Sequence, residues 1–494
     1  MEQELEIKLH CPPAAADTVR ADMAALQASQ TSLLALYFDT EDRLLDTQGV
    51  SLRLRKEGSR WVQTLKVPTR SSIRRYEHSV DIESWQGEQP HVDLARHEGS
   101  RAARQLLKRL GSRMLPTLIL RSTMTVRRQS IIVQQNGEAV EIAFDEGVVR
   151  AADRTRSICE VEFEAKTEQC SLMFTLASQW QARYGLWVDP VAKRRRGELL
   201  ARHLAFEPAS RSVKGLPSGM RSGKTLFCAA LGTSLEQVMA NASELAAGSA
   251  NPAHVHQLRV GLRRMRVAIW SMKATAPDFK ANQVEPLVAA FRALGALRNL
   301  DAIKASVVPK LQAAGAPVAA LGQAQCESLS AEQIVRSVSF QSTLLALLAY
   351  VHQSGVGRRH VKRIWRADLG RTERQLNRLH KRVTRQAETF EHLRPVDQHD
   401  IRKRLKKLRY LADFVNSMYP RSTVSQYMKQ LRKAQQALGQ LNDEAEALLL
   451  FEKRTAQDAR AWFAVGWLAA RRQTCARDCS VALRGLGDTT RFWK

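Results

Sequence analysis

The feature that most constrains how this chain can fold is a change of hydrophobic period near residue 200. Before it, apolar and polar residues alternate in SLRLRKE (51–57), WVQTLKV (61–67), HSVDIES (78–84), STMTVRRQSIIVQ (122–134), AVEIAFDEG (139–147) and ICEVEFEAK (158–166). A period of two belongs to strands with unlike faces, and Asn136-Gly137 between two of these runs is a hairpin signal. Helical patterns interrupt at about 12–29, 91–111 and 167–184, so an antiparallel sheet with a few helices is expected. From about residue 222 onward the period is helical. The stretch FEPASRSVKGLPSGMRSG (206–223), rich in Ser, Gly and Pro, reads as a linker. The 494 residues thus divide into an expected α+β region (1–205), a linker (206–221) and an all-α region (222–490).

The strands carry unusual polar faces. Glu4, Glu6 and Lys8 share one side of the first strand, with Leu5, Ile7 and Leu9 on the other. Arg53, Arg55, Lys66, Arg75, Glu77, Arg121, Arg127, Glu141, Asp145, Glu160, Glu162, Glu164 and Lys166 are charged residues of the later strands. An antiparallel sheet commonly turns one polar face to water. Two readings therefore stand: a solvated outer face or, if the sheet closes, a charged lumen.

The helical region contains a repeat. HQLRVGLRRMR (256–266) matches HDIRKRLKKLR (399–409) at an offset of 143, and LGALRNLD (294–301) resembles LGQLNDEA (438–445) at 144. Two related bundles follow, about 222–365 and 366–490. At 100° per residue, His256, Arg259, Arg263 and Arg266 share one side, roughly opposite Leu258, Leu262, Met265 and Ile269. His399, Arg402, Lys406 and Arg409 repeat that layout, and Arg264 and Lys407 belong to the same basic set. Like charges at this spacing repel by about 0.2–0.5 kcal/mol per pair, and a bound anion offsets that cost. For one copy a solvated basic face is the plainer reading; a second copy favours an anion site. A further stripe, Arg371, Arg374, Arg378, Lys381 and Arg385, is less ordered. Each His is either a structural hydrogen-bonding residue or a pH-sensitive phosphate donor.

Charge composition agrees. Lys plus Arg is 76 against 49 Asp plus Glu, a formal net charge of +27, which favours polyanionic partners. The basic faces carry no aromatic residues for stacking, which favours a base-free polyphosphate over nucleic acid. The seven cysteines (11, 159, 170, 228, 326, 475 and 479) form no CxxC pair, and a reducing, cytoplasmic setting is expected. Acidic residues at 2, 4 and 6 do not suit a signal peptide, and no apolar run approaches the ~20 residues of a membrane span. GMRSGKT (219–225) has three residues between its glycines where a nucleotide-binding loop has four, and it follows a linker, not a strand. It is set aside.

Two family resemblances rest on these residues. Glu4-x-Glu6-x-Lys8, Tyr37-Phe38-Asp39-Thr40, Leu52-Arg53-Leu54-Arg55, Thr64-Leu65-Lys66, Glu160-x-Glu162-x-Glu164, and Lys193 followed by Arg196-Gly197 resemble the CYTH domain, the triphosphate tunnel metalloenzyme fold. His256-x-x-Arg259-x-x-x-Arg263-Arg264-x-Arg266 and its copy at His399 resemble the CHAD domain. Their order is similar to that of bacterial inorganic triphosphatases with both domains. The resemblance implies a closed eight-stranded antiparallel tunnel followed by two four-helix units.

The resemblance also implies roles. Glu4 and Glu6 become metal ligands, joined by Glu160 and Glu162, with Asp145 in the same acidic set. Lys8, Arg53, Arg55, Lys66 and Lys193 become triphosphate contacts, accompanied by Arg75, Arg121 and Arg127. Glu4, Glu6, Lys8 and Glu162 are the expected catalytic residues; Glu162 or Asp145 is available to orient water, and no single base is marked. The implied metal is Mg²⁺ or Mn²⁺, both oxygen-seeking. The expected activity is hydrolysis of inorganic triphosphate to pyrophosphate and phosphate. The helical region is expected to bind polyphosphate through His256, Arg259, Arg263, Arg264, Arg266, His399, Arg402, Lys406, Lys407 and Arg409, with association to polyphosphate bodies. The rivals are a tunnel enzyme acting on a nucleoside or thiamine triphosphate, with Trp61 or Trp85 stacking on the base, and a non-catalytic polyphosphate scaffold. Nucleic acid is not the expected partner. Arg194 and Arg195 make the closing motif unusually basic. Asn442-Asp443 stands where the first repeat has Arg298-Asn299, so the repeats are not expected to be equivalent anion sites.

Overall fold

The computed structural model describes residues 3–69, 71–82, 90–111, 117–212, 215–216, 222–317, 329–354 and 362–494. Trp85, Cys326 and positions 219–221 lie outside them, as do the side chains of Arg298 and Asn299. The chain forms two compact units. One comprises Met1–Ser210, Glu236–Leu258 and Glu332–Gln353; the other comprises Arg211–Leu235, Arg259–Ala331 and Ser354–Lys494.

The first unit is built on the strands β1 (Gln3–His10), β2 (Ser29–Thr40), β3 (Ser51–Glu57), β4 (Arg60–Pro68), β5 (Arg74–Ile82), β6 (Leu118–Gln135), β7 (Glu138–Ala151), β8 (Arg154–Ala165) and β9 (Trp187–Val188). The sheet order is β5-β4-β3-β2-β6-β7-β8-β1, and β1 also pairs with β5, so eight antiparallel strands close into a barrel. β9 adds to the far end of β1, where Leu9 meets Val188. Asn136 (φ 51°) and Gly137 (φ 78°) form the left-handed two-residue turn between β6 and β7, as their sequence suggests.

The barrel includes five helices in its sequence range: α1 (Pro13–Ala25), α2 (Leu44–Thr47), α3 (Arg101–Leu110), α4 (Ser171–Tyr184) and α5 (Lys193–Ala201). Leu52, Leu65 and Val67 pack outward against Ala102, Leu106 and Leu110 of α3. The apolar face of the strands is therefore the outer one, and the charged face is the lumen. This decides against a solvated outer face for the alternating charges. Gly197 has a positional reason: a Cβ there would lie 2.3 Å from Ser122 Oγ, so only glycine lets α5 seat this closely on β6.

The C-terminal region is mostly helical, with α6 (Gly223–Ala246), α7 (Pro252–Met272), α8 (Glu285–Ser306), α9 (Val308–Ala313), α10 (Ala331–Arg336), α11 (Val338–Ser354), α12 (Lys362–Thr384), α13 (Pro395–Val415), α14 (Arg421–Arg454) and α15 (Trp462–Gly487). The repeated helices α7 and α13 are both 21 residues long, and each begins with proline, which is pre-organised for a first helical position. Their stripes Leu258/Leu262/Met265 and Ile401/Leu405/Leu408 are buried. No helix among the described residues is long and apolar enough to cross a membrane.

Candidate functional site

The barrel encloses a cavity of about 870 Å³. Nine basic and seven acidic side chains line it, drawn from most of the strands and from the start of α5. Register explains the convergence: Glu6 of β1 stands opposite Glu164 of β8, Lys8 opposite Glu162, and His10 opposite Glu160. On the other side of β8, Asp145 of β7 faces Glu160 and Glu141 faces Glu164.

Two charge clusters result. In the first, Lys66 Nζ lies 2.7 Å from Glu4 and 2.9 Å from Glu77, while Arg75 stands 3.8 Å from Glu6. In the second, Asp145, Glu160 and Glu162 bring carboxylate oxygens within 4.8 Å of one another, a grouping that could hold a metal ion. Lys193, the first residue of α5, points its ammonium into this group, 2.6 Å from both Asp145 and Glu160 and in contact with Glu162. Arg128 pairs with Asp145 at 2.6 Å and Glu162 at 2.5 Å. Lys8 is 3.1 Å from Glu160 and donates to the carbonyl of Val191. Asp189, 3.8 Å from Lys8, also binds Arg196 and accepts from Ser243 Oγ at 3.1 Å.

The clusters separate the carboxyl groups electrically. Burial raises Glu4 well above the usual carboxylate range, and Lys66 only partly opposes it. Burial also pushes Glu160 and Glu162 upward, but Lys193 outweighs it, aided by Lys8 at Glu160 and Arg128 at Glu162. Glu160 settles at about 2 and Glu162 well below the ordinary value. Burial lowers Lys8 to about 8 despite Glu160. Burial works against Lys193 too, yet its three carboxylate neighbours raise it well above the usual lysine value. Glu4 Oε2 is buried without a hydrogen-bond partner, so a cation in the lumen would find an unused ligand there.

Of the residues singled out in the sequence, Glu4, Glu6, Lys8, Arg53, Arg55, Lys66, Arg75, Asp145, Glu162 and Lys193 line the cavity, while Glu160 lies beneath, joined through Lys193 and Lys8. Arg121 and Arg127 are elsewhere. A bulge leaves Arg121 without a partner between Leu120 and Ser122, and it stands 3.6 Å from Glu198 of α5. Arg127 then faces outward to Glu146 at 3.2 Å, and Arg128 takes the lumen position. Glu77, Glu141, Glu164 and Lys166 also line the cavity. The extra arginines of the closing motif have partners: Arg194 and Arg195 each reach Asp46 at 2.6 Å. Asp46 follows a turn fixed by Asp39, whose carboxylate accepts from the backbone of Thr40, Leu45 and Asp46. Trp61 packs with Leu36, Phe38 and Leu54 and is not a cavity-lining residue.

In the second unit, the basic stripes of α7 and α13 converge. Arg259, Arg263 and Arg266 gather over the Phe291 ring of α8 at 4.7, 5.4 and 5.1 Å. Gly295, one turn further, gives Arg259 its room, because a Cβ there would lie 2.7 Å from Nη1. Burial, with Arg263 and Arg402 beside it, lowers Lys406 to about 6. Arg402 stands 4.0 Å from Asp443, and His399 is hydrogen-bonded to Asn442. Arg264 is buried over Phe414 at 4.9 Å, and its counterpart Lys407 lies over Trp270 at 4.6 Å, so each repeat clasps an aromatic of the other. Arg409 contacts Gln435 and stands 3.7 Å from Asp413. His256 is half-buried, and Arg371, Arg374, Arg378 and Lys381 of α12 are exposed.

Comparison with known proteins decides the family. Residues 2–197 match the CYTH domain and residues 229–452 match the CHAD domain. The chain is a CYTH–CHAD protein. It is 26% identical to an inorganic triphosphatase from Haemophilus influenzae over 206 residues, 40% of this chain and 55% of that protein. The chain thus spans about half the length of that curated relative. Among solved structures, the CHAD domain from the plant Ricinus communis has 23% identity and a TM-score of 0.48, covering 58% of this chain and 98% of that one. A Hippeastrum protein described as having a dominant triphosphatase activity has 16% identity and a TM-score of 0.29, covering 41% of this chain and 97% of that one.

Proposed function

We propose that the CYTH tunnel hydrolyses inorganic triphosphate to pyrophosphate and phosphate. The observation that carries this reading is a lumen in which cations from β1, β3, β4, β5, β6 and α5 converge beside carboxylates. A short, densely charged anion matches that density of cations; Leu33, Tyr37 and Met124 also line the space and are where the base of a nucleoside triphosphate would have to rest. For a non-catalytic anion binder the seven acidic side chains of the lining would serve only to hold its cations in place, at a cost to anion affinity.

Lys66, Arg53 and Arg75 would hold one end of the substrate, while Arg128, Lys8 and Lys193 would face the other. Glu162, held ionised by its cationic neighbours, is suited to orient an attacking water. Lys8 would offset charge developing on the leaving oxygen. A divalent ion, Mg²⁺ or Mn²⁺, would be held by Glu4, giving up its proton, and by Glu6, and would reach Asp145, Glu160 and Glu162 only by displacing the Lys193 ammonium from among them; it would supply charge neutralisation and a more acidic bound water.

In the CHAD region, Arg259, Arg263, Arg402 and Lys406 would bind polyphosphate, flanked by His256, Arg266, His399 and Arg409. Arg264 and Lys407 would support that surface by holding the repeats together. A cytoplasmic setting and association with polyphosphate bodies belong to this proposal.

The test is phosphate release from triphosphate, ATP, pyrophosphate and long-chain polyphosphate with Mg²⁺, Mn²⁺ or EDTA, for wild type and Glu4→Ala/Glu6→Ala. Metal-dependent turnover selective for triphosphate and lost in the variant is expected. Preference for ATP would change the substrate, and polyphosphate binding without turnover of any compound would overturn the enzyme assignment.

A further inference from the structure

Outside the lumen, β1 and β8 bring two thiols together. His10 stands opposite Glu160, and one residue further the Cys11 N–H donates to the Cys159 carbonyl at 3.0 Å. The two cysteines are therefore directly opposed on one face of an antiparallel ladder. Opposed residues of a hydrogen-bonded pair have Cα atoms about 5.5 Å apart, within the roughly 4.4–6.8 Å a disulfide spans, and closing the bond would draw their Cβ atoms in to about 3.8 Å, which makes it a strained and readily reduced bond. Their accessibility differs. Cys11 is fully buried, whereas Cys159 is half-buried.

We propose that Cys11 and Cys159 form a reversible oxidation site, closing a cross-strand disulfide when the protein meets a low-molecular-weight disulfide. The Cys159 thiolate attacks one sulfur of that disulfide, forming a mixed disulfide and expelling a thiolate. Cys11 gives up its proton and attacks the Cys159 sulfur, expelling the second thiolate. The two protein thiols lose two electrons, the small disulfide gains them, and both protons end on the two released thiols. The order of attack follows from accessibility: Cys11 is fully buried and Cys159 only half-buried. The new bond would tie the β1–β8 ladder beside Glu160, at the end of the strand that carries Lys8.

The test is incubation of the full-length protein with oxidised glutathione, alkylation and tryptic mass mapping. The expected product is a link between peptides 9–20 and 157–166, with the loss of two hydrogens and reversal by dithiothreitol. Cys11→Ala should instead retain a stable glutathione adduct on Cys159, and Cys159→Ser should leave Cys11 unmodified. Because Cys11 is buried, far-UV circular dichroism of each variant accompanies the mapping. A persistent glutathione adduct on wild-type Cys159, or full alkylation of both thiols after oxidation, overturns the proposal. The readout is independent of triphosphate turnover.

Discussion

Lys193 and Lys406 are both lysines placed among charged neighbours, and they respond in opposite directions. In the tunnel, Lys193 is surrounded by Asp145, Glu160 and Glu162, and their attraction overcomes burial and raises it. In the helical region, half-buried Lys406 loses hydration beside Arg263 and Arg402, and it falls to about 6. The tunnel interleaves the two signs of charge, so its cations are compensated before any ligand arrives. Around Lys406 the acidic neighbour is Asp443, so an anion bound there would bring a proton with it. The first arrangement favours exchange of charged partners within a fixed frame, the second a change of protonation on binding.

The sharpest way to break the comparison is to remove the tunnel ammonium. Lys193→Met removes the one cation shared by three carboxylates, leaving Arg128 for Asp145 and Glu162 and Lys8 for Glu160, and is expected to cost about 3 kcal/mol, read by urea unfolding. Because the folded value of Lys193 is raised, its contribution is fully present below the ordinary lysine value of about 10.4 and fades only as pH rises through the folded value. The deficit of the variant should therefore be constant between pH 7 and 9; a deficit that shrinks across that range would refute the raised value.

Next in size, Glu4→Ala/Glu6→Ala should lower metal-dependent triphosphate turnover on the order of a hundredfold or more while leaving polyphosphate binding unchanged. Equal losses of both would mean that the two surfaces do not act separately.

The CHAD stripe supplies a smaller, pH-dependent effect. Lys406 is lowered in the free protein and would be recharged by a bound polyanion, so affinity should fall by up to about tenfold per pH unit above 6. Calorimetry in buffers of different ionisation enthalpy should show proton uptake, and Lys406→Arg should abolish it. The same lowered value means that the unfolded chain holds a proton the folded chain lacks, so this residue's effect on stability becomes more favourable as pH rises from about 6 toward 10.4. Asp443→Asn is the mildest change: removing a half-buried partner of Arg402 should tighten polyphosphate binding by about threefold at low salt. No change at low salt would mean that Asp443 does not compete with the ligand.

Much of this was legible in the sequence because it depends on period. Alternation gave the strands, Asn136-Gly137 their hairpin, and the 143-residue offset the paired helices α7 and α13. What escaped depends on tertiary phase. Counting by twos from Arg121 selects Arg127, but the bulge at Arg121 shifts the phase and brings Arg128 inward. The α7 stripe is not free of aromatics: Trp270 continues it one turn beyond Arg266, and Phe291 reaches it from α8. Arg264 and Lys407 looked like members of the exposed stripes until the aromatic each one covers was located on the facing helix. Lys193 was legible as a cation, but its place among three acids depends on how closely Gly197 lets α5 approach β6.

Among the described residues the barrel closes through a short seam, with three residue pairs between β1 and β5 against thirteen between β6 and β7. Were that seam to part, two strand edges would be offered to neighbouring molecules, the usual starting point of edge-to-edge aggregation. Those edges carry Glu4, Glu6, Arg75 and Glu77 on the face that would have to stack. Joining another sheet there would bury charges without their partners. The residues proposed to bind substrate thus also make the opened sheet a poor template for self-association.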